Sequence, residues 1–119
     1  MTTKQIAEQL VEICRKGDFK KAQKDLYADD AISIEPYATP AFEKETKGLK
    51  SIIEKGEKFD SMVDKMHSIE VSDPVIADNS FACTMTLDVT MKDKGQMHMT
   101  ELCVYEVKDG KIVKEQFVM

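Results

Sequence analysis

The sequence predicts an α+β domain in which N-terminal helices pack on one face of a curved, mostly antiparallel sheet. Three observations carry this expectation. Apolar residues recur at helical spacing in three stretches before residue 64. From residue 67 the apolar period changes to two and stays there to the end. The turn signals Asp78-Asn79, Asp93-Lys94-Gly95 and Asp109-Gly110 divide that second half into four consecutive antiparallel strands.

The first helix is expected over residues 3–16, where Ile6, Leu10 and Ile13 follow at i, i+4, i+7. Thr2 and Gln5 stand at capping-box spacing, and Gly17 supplies a stop. Asp18 then caps a second, short helix with Phe19, Ala22 and Leu26 as its apolar stripe up to Tyr27. After an acidic turn, "AISIE" at 31–35 alternates weakly and runs into Pro36, which cannot donate to a ladder; this reads as a short edge-type strand. The stretch "YATPAFEKETKG" is an open connection. From Gly48, the residues Leu49, Ile52, Ile53, Phe59, Met62 and Val63 mark a third helix, interrupted only by Gly56.

The meander strands also predict faces. Between 81 and 91 the odd positions are all apolar and the even ones mostly threonine, so odd residues face inward. If the next strand keeps register, its inward set is Met97, Met99, Glu101, Cys103, Tyr105 and Val107, in which Glu101 is the one charge. The alternative is a local bulge that turns Glu101 outward.

Whole-chain properties exclude several classes. A length of 119 residues suits one domain, 1–119. With a net charge of −5 and lysines dispersed among acids, a nucleic-acid partner is not expected. No apolar run reaches the ~20 residues of a membrane span. The N-terminus turns amphipathic at once, without an apolar leader core, so the cytoplasm is the expected compartment. Cys14, Cys83 and Cys103 are odd in number, widely spaced and set among apolar residues, which suits reduced core thiols rather than disulfides or a metal site.

The order of elements, with "YADDA" at 27–31, an acid-proline strand end and "GLKSI" at 48–52, resembles the SnoaL-like branch of the nuclear transport factor two-like superfamily over essentially the whole chain. The resemblance implies a cone-shaped α+β barrel with a pocket at its open end, and a homodimer formed through the convex sheet face. That superfamily contains ketosteroid isomerases, polyketide cyclases and other lyases, and also members without catalysis, so the site must decide the function. By the resemblance, Glu35 matches the general-base carboxylate of the isomerase type. The donors of that type have no match, because their places fall near Val11 and Cys103. Glu101, two residues away, is the available stand-in if buried and protonated.

The candidate catalytic residues are therefore Glu35, Glu101 and His67, the last placed where the third helix gives way to a strand. A ligand would be lined by Tyr37, Met85, Met99, Cys103, Tyr105 and Phe117, with Tyr37 on a connection able to act as a lid. His98 falls on the outward face. Each site residue has a plainer reading as well: Glu35 as a solvated strand end, the methionines as core filling. Two functions stay open. One is a binding module for a small apolar molecule; the other is a lyase- or isomerase-type enzyme that uses Glu35 on an apolar oxygenated substrate. Neither requires a cofactor, and none is expected.

Overall fold

The computed structural model describes residues 1–119. Thr2 opens α1 (Thr3–Arg15) through a reciprocal cap: its hydroxyl accepts from the Gln5 N–H at 3.1 Å, and Gln5 Oε1 accepts from the Thr2 N–H at 2.9 Å. Gly17 ends the helix with φ +78°, and a Cβ there would lie 3.1 Å from Ile69 Cδ1, so the turn and the close approach of the sheet both favour glycine. Asp18 caps α2 (Phe19–Leu26) from Oδ1. The chain then passes directly into β1 (Tyr27–Ile34), β2 (Glu45–Lys47) and α3 (Leu49–Met62). There follow β3 (Val63–Val71), β4 (Val75–Ile76), β5 (Ser80–Met91), β6 (Gly95–Lys108) and β7 (Lys111–Val118).

One sheet contains all the strands, in the order β2-β1-β7-β6-β5-β3, with β4 also paired to β5. Every pairing is antiparallel except β1 with β7. The expected α+β class and the four-strand meander are thus present, as β3, β5, β6 and β7. Asp109 and Gly110, both at positive φ, make the tight turn into β7. Irregular register at Tyr27/Ile32, in β3 and at Glu106/Val107 marks bulges, which bend strands and curve the sheet around the helices.

Two strand expectations change. The strand expected over 31–35 starts at Tyr27 and stops at Ile34, leaving Glu35 just beyond it. It is not an edge: the short β2 folds back on it, with the Glu35 N–H donating to Lys44 O at 2.7 Å, while β7 lies on its other side. The exposed pair Asp29 and Asp30 broke the apolar alternation and so read as a turn. The third helix ends at Met62 and β3 begins at once, four residues before the expected strand, because Val63 pairs with Met91 at the far end of the long β5.

The core lies between α1 and the concave sheet face. Ile6, Ala7, Leu10, Val11 and Cys14 are buried on one side of α1, against a layer that includes Cys83, Cys103 and a stacked Phe81–Tyr105 pair with ring centroids 4.8 Å apart. The three cysteines are free and buried. In contrast, α3 buries only Ile52 fully. Leu49 packs against the core from its edge, while Ile53 and Phe59 line a space instead of filling it. No helix is long and apolar enough to cross a membrane.

Candidate functional site

A cavity of about 320 Å³ opens between α2, α3, the connection after β1 and the concave face of the sheet. Its wall is mainly apolar, from Ile52, Ile53 and Phe59 on α3 to Met85, Met99 and Phe117 on the strands. That volume is at the small end of known ligand pockets, about 300–1,000 Å³.

A polar cluster is set into this wall. The inward parity of β1 buries Ser33 completely and carries on to Glu35. Lys55, one turn beyond Ile52 on α3, reaches down between them: its ammonium donates to Ser33 Oγ at 2.6 Å and to Glu35 Oε1 at 3.0 Å. The pair is largely enclosed, with side-chain exposures of 15% for Lys55 and 25% for Glu35. On the neighbouring β7, Glu115 stands level with Ser33 and is only 3% exposed. Its Oε1 accepts a short hydrogen bond from the Tyr27 hydroxyl, and the Ser33 hydroxyl beside it also favours the ionised carboxylate. No buried side-chain polar atom in the protein lacks a partner.

Glu101 faces the same cavity from β6, directly opposite Met85 on β5. The register of β5 and β6 is unbroken from Ser80↔Glu106 to Met91↔Gly95, so no bulge turns it outward. Burial, then the charges of Glu35 and Glu115, push its carboxyl up to about 7, with Lys55 acting in the opposite direction. Burial likewise raises Glu115, against the hydrogen bonds from Ser33 and Tyr27 and the Lys55 charge that favour its ionised form. Tyr27 and Tyr105 are held well above the usual phenol range, first by burial, so both are neutral donors near pH 7.

Of the expected site residues, Glu35, Glu101, Tyr37, Met85, Met99, Tyr105 and Phe117 all line the cavity. Tyr37 is at the mouth, 61% exposed. Its connection is fastened to α3, because Lys58 donates to Ala41 O and lies 5.2 Å from the Phe42 ring centroid. Cys103 faces inward yet does not reach the cavity: it is fully buried opposite Cys83, and the longer side chains of Glu101 and Tyr105 on its own strand extend past the thiol. His67 does not join the site. Since β3 starts early, it sits in mid-strand, exposed, with Nε2 2.7 Å from Thr90 Oγ1. His98 is exposed, as its parity required.

Lys55, Glu115, Ser33 and Tyr27 were not anticipated. A signal existed for two of them. Lys55 lies three residues after Ile52 and four before Phe59, on the apolar stripe itself. Glu115 shares the parity of Phe117. Nothing local announces Ser33 or Tyr27.

Chemically, the arrangement offers a carboxylate and an ammonium in one ion pair, a second carboxyl whose proton affinity is raised by burial and neighbouring carboxylates, and an apolar wall that limits water. Such a set can move a proton between carbon and oxygen without a metal or redox group.

A family model for the SnoaL-like domain matches residues 1–119. Among solved structures, a candidate SnoaL-like polyketide cyclase from Mesorhizobium loti is 30% identical, with both chains covered over 100% of their length and a TM-score of 0.93. TerC co-crystallised with polyporic acid is 12% identical over 98% of this chain and 90% of that one, with a TM-score of 0.79. Rv0760c from Mycobacterium tuberculosis in complex with estradiol-17β-hemisuccinate is 13% identical over 100% and 95%, with a TM-score of 0.75. The last two share the fold. No match was found among curated proteins.

Proposed function

Because the chain belongs to the SnoaL-like domain family, we propose that its cavity binds a small apolar oxygenated molecule and catalyses proton transfer on it, in a reaction of isomerase or lyase type. The convergence of Glu101 and the Glu35–Lys55 pair on one apolar cavity carries this reading. Glu35 acts as base through the carboxylate oxygen that Lys55 does not hold. Glu101, neutral in much of its population near pH 7, donates to a substrate oxygen. The ligands named for TerC and Rv0760c are consistent with an apolar, oxygenated guest in this fold.

A binding module without turnover is the second reading, favoured by the engagement of Glu35 with Lys55 in an ion pair. Deuterium exchange separates the two. A panel of apolar cyclic ketones is incubated in D₂O and C–H loss is followed by NMR. Acceleration by the wild type, lost by about 100-fold or more in Glu35→Gln while ligand binding persists, supports catalysis. The glutamine amide oxygen can still accept from Lys55, so the pocket keeps its shape. Binding with no exchange in any case leaves the module.

The expected partner is a second copy of this chain. On the convex face Leu102 stands between Thr84 and Val118 across three adjacent strands, and Leu102 and Val118 are 40% and 44% exposed. A patch of apolar and threonine side chains suits a twofold contact in which the same surface serves both protomers.

A further inference from the structure

Lys55 is more than a structural ion pair. An ammonium has three donors. Ser33 Oγ takes one and Glu35 Oε1 a second, and both acceptors lie on the β1 side of the cavity wall. The third has no protein acceptor within hydrogen-bond distance. Beside the ammonium lies the Phe117 ring, with its centroid 5.9 Å from Nζ. Enclosing such an ion pair contributes little to stability, since apolar residues of similar volume hold a fold as well or better. The lysine is therefore explained by what its free donor can meet.

We infer that Lys55 is the electrophilic residue of the site, binding the carbonyl oxygen of a neutral, enolisable ketone and holding the enolate oxygen that forms when Glu35 removes the neighbouring proton. This rests on the acid–base reading above and names its substrate class. The geometry suits that class because a carbonyl oxygen and the adjacent carbon are two bonds, ~2.4 Å, apart. A donor and a base serving those two atoms must be near neighbours, as Lys55 Nζ and Glu35 are at 3.0 Å. In the step, the C–H electron pair becomes the C=C bond, the carbonyl π pair moves to oxygen, and the proton resides on Glu35. Lys55 and the Glu101 hydroxyl hydrogen donate to the enolate oxygen. Where the ketone carries a β,γ double bond the enolate is conjugated, and return of the proton from Glu35 to its γ-carbon completes an isomerisation and restores the protein. In a saturated ketone the proton returns to the same carbon and the step is exchange alone. A carboxylic acid fits less well, because its permanent charge would face Glu35 and Glu101 before any reaction.

The test uses 4-nitro-1-naphthol as an enolate mimic, since its ionised and neutral forms absorb at different wavelengths. In the wild-type protein at pH 6, the ionised-to-neutral ratio of the bound probe should exceed that of the free probe by about tenfold. Lys55→Met should bind the neutral probe and lose this excess. Lys55→Arg should retain part of it, and Glu35→Gln, which removes the competing negative charge, should raise the ratio further. A wild-type ratio no higher than in buffer, or one unchanged in Lys55→Met, overturns the role of Lys55 while leaving the cavity reading intact. Failure of the wild type to bind either form overturns both. Should Lys55→Met not fold, the wild-type and Glu35→Gln ratios decide.

Discussion

Tyr27 and Glu115, 88 residues apart, are joined by a buried hydrogen bond that crosses the one parallel strand pairing in the sheet, between β1 and β7. The bond ties the start of β1 to β7 and favours the ionised form of Glu115 against the burial that raises its proton affinity, while Tyr27 itself stays neutral.

Removing that donor should be costly. Tyr27→Phe keeps the ring and its packing but leaves a buried carboxyl short of one partner, so the protein should lose about 1–3 kcal/mol in urea unfolding. A loss below the error of that measurement would contradict the bond's structural role.

Glu101 predicts a pH dependence. Its carboxyl rises from 4.5 in the unfolded chain to about 7 in the fold. A raised value means that the folded state prefers the protonated form, so this contribution to stability is complete below pH 4.5 and is lost as pH rises through 7. Partial exposure limits the loss to roughly 3 kcal/mol at most. Glu101→Gln should flatten that slope and melt at a higher temperature than the wild type at pH 8, as differential scanning fluorimetry would show.

Phe81 should be a stability residue without a role in binding. It is 2% exposed and stacked on Tyr105 beneath α1, away from the cavity surface. Phe81→Ala should cost about 3–5 kcal/mol, since a dense core closes poorly over a lost ring.

His67 gives the opposite control. Exposed on β3 and bonded only to Thr90, it should tolerate His67→Ala within about 0.5 kcal/mol. Any ketone exchange or naphthol binding should be unchanged. A large loss of either would return His67 to the site.

The proposed dimer is tested at its centre. Leu102→Lys places two charges against each other across a twofold contact, and sedimentation velocity should then show a monomer where the wild type sediments as a dimer. A wild-type monomer at micromolar concentration would remove the convex face as an interface.

Most of the architecture was legible in the sequence because it rests on local periodicity. The capping box at Thr2 and Gln5, the stop at Gly17 and the alternation of β5 and β6 each need only a few neighbouring residues to be read. The inward position of Glu101 followed from the same alternation, since a period of two carries a side chain to one face for as long as register holds. What misled was also local. The polar Asp29-Asp30 pair concealed the first half of β1, and the missing alternation at 63–66 moved His67 from a strand to a junction.

By itself, then, the sequence determined the class of fold, the order of its elements and the faces of its long strands, because period and turn chemistry are written in adjacent residues. Only the tertiary structure decided which groups share the cavity. Lys55 meets Ser33 and Glu35 because one turn of α3 lies over the end of β1, and Glu115 stands beside Ser33 because β7 joins β1 in parallel across an irregular register. Those placements come from how a helix seats on a bent sheet. The same packing encloses Glu101 near other carboxyls and so raises its proton affinity, a property that no stretch of residues carries alone.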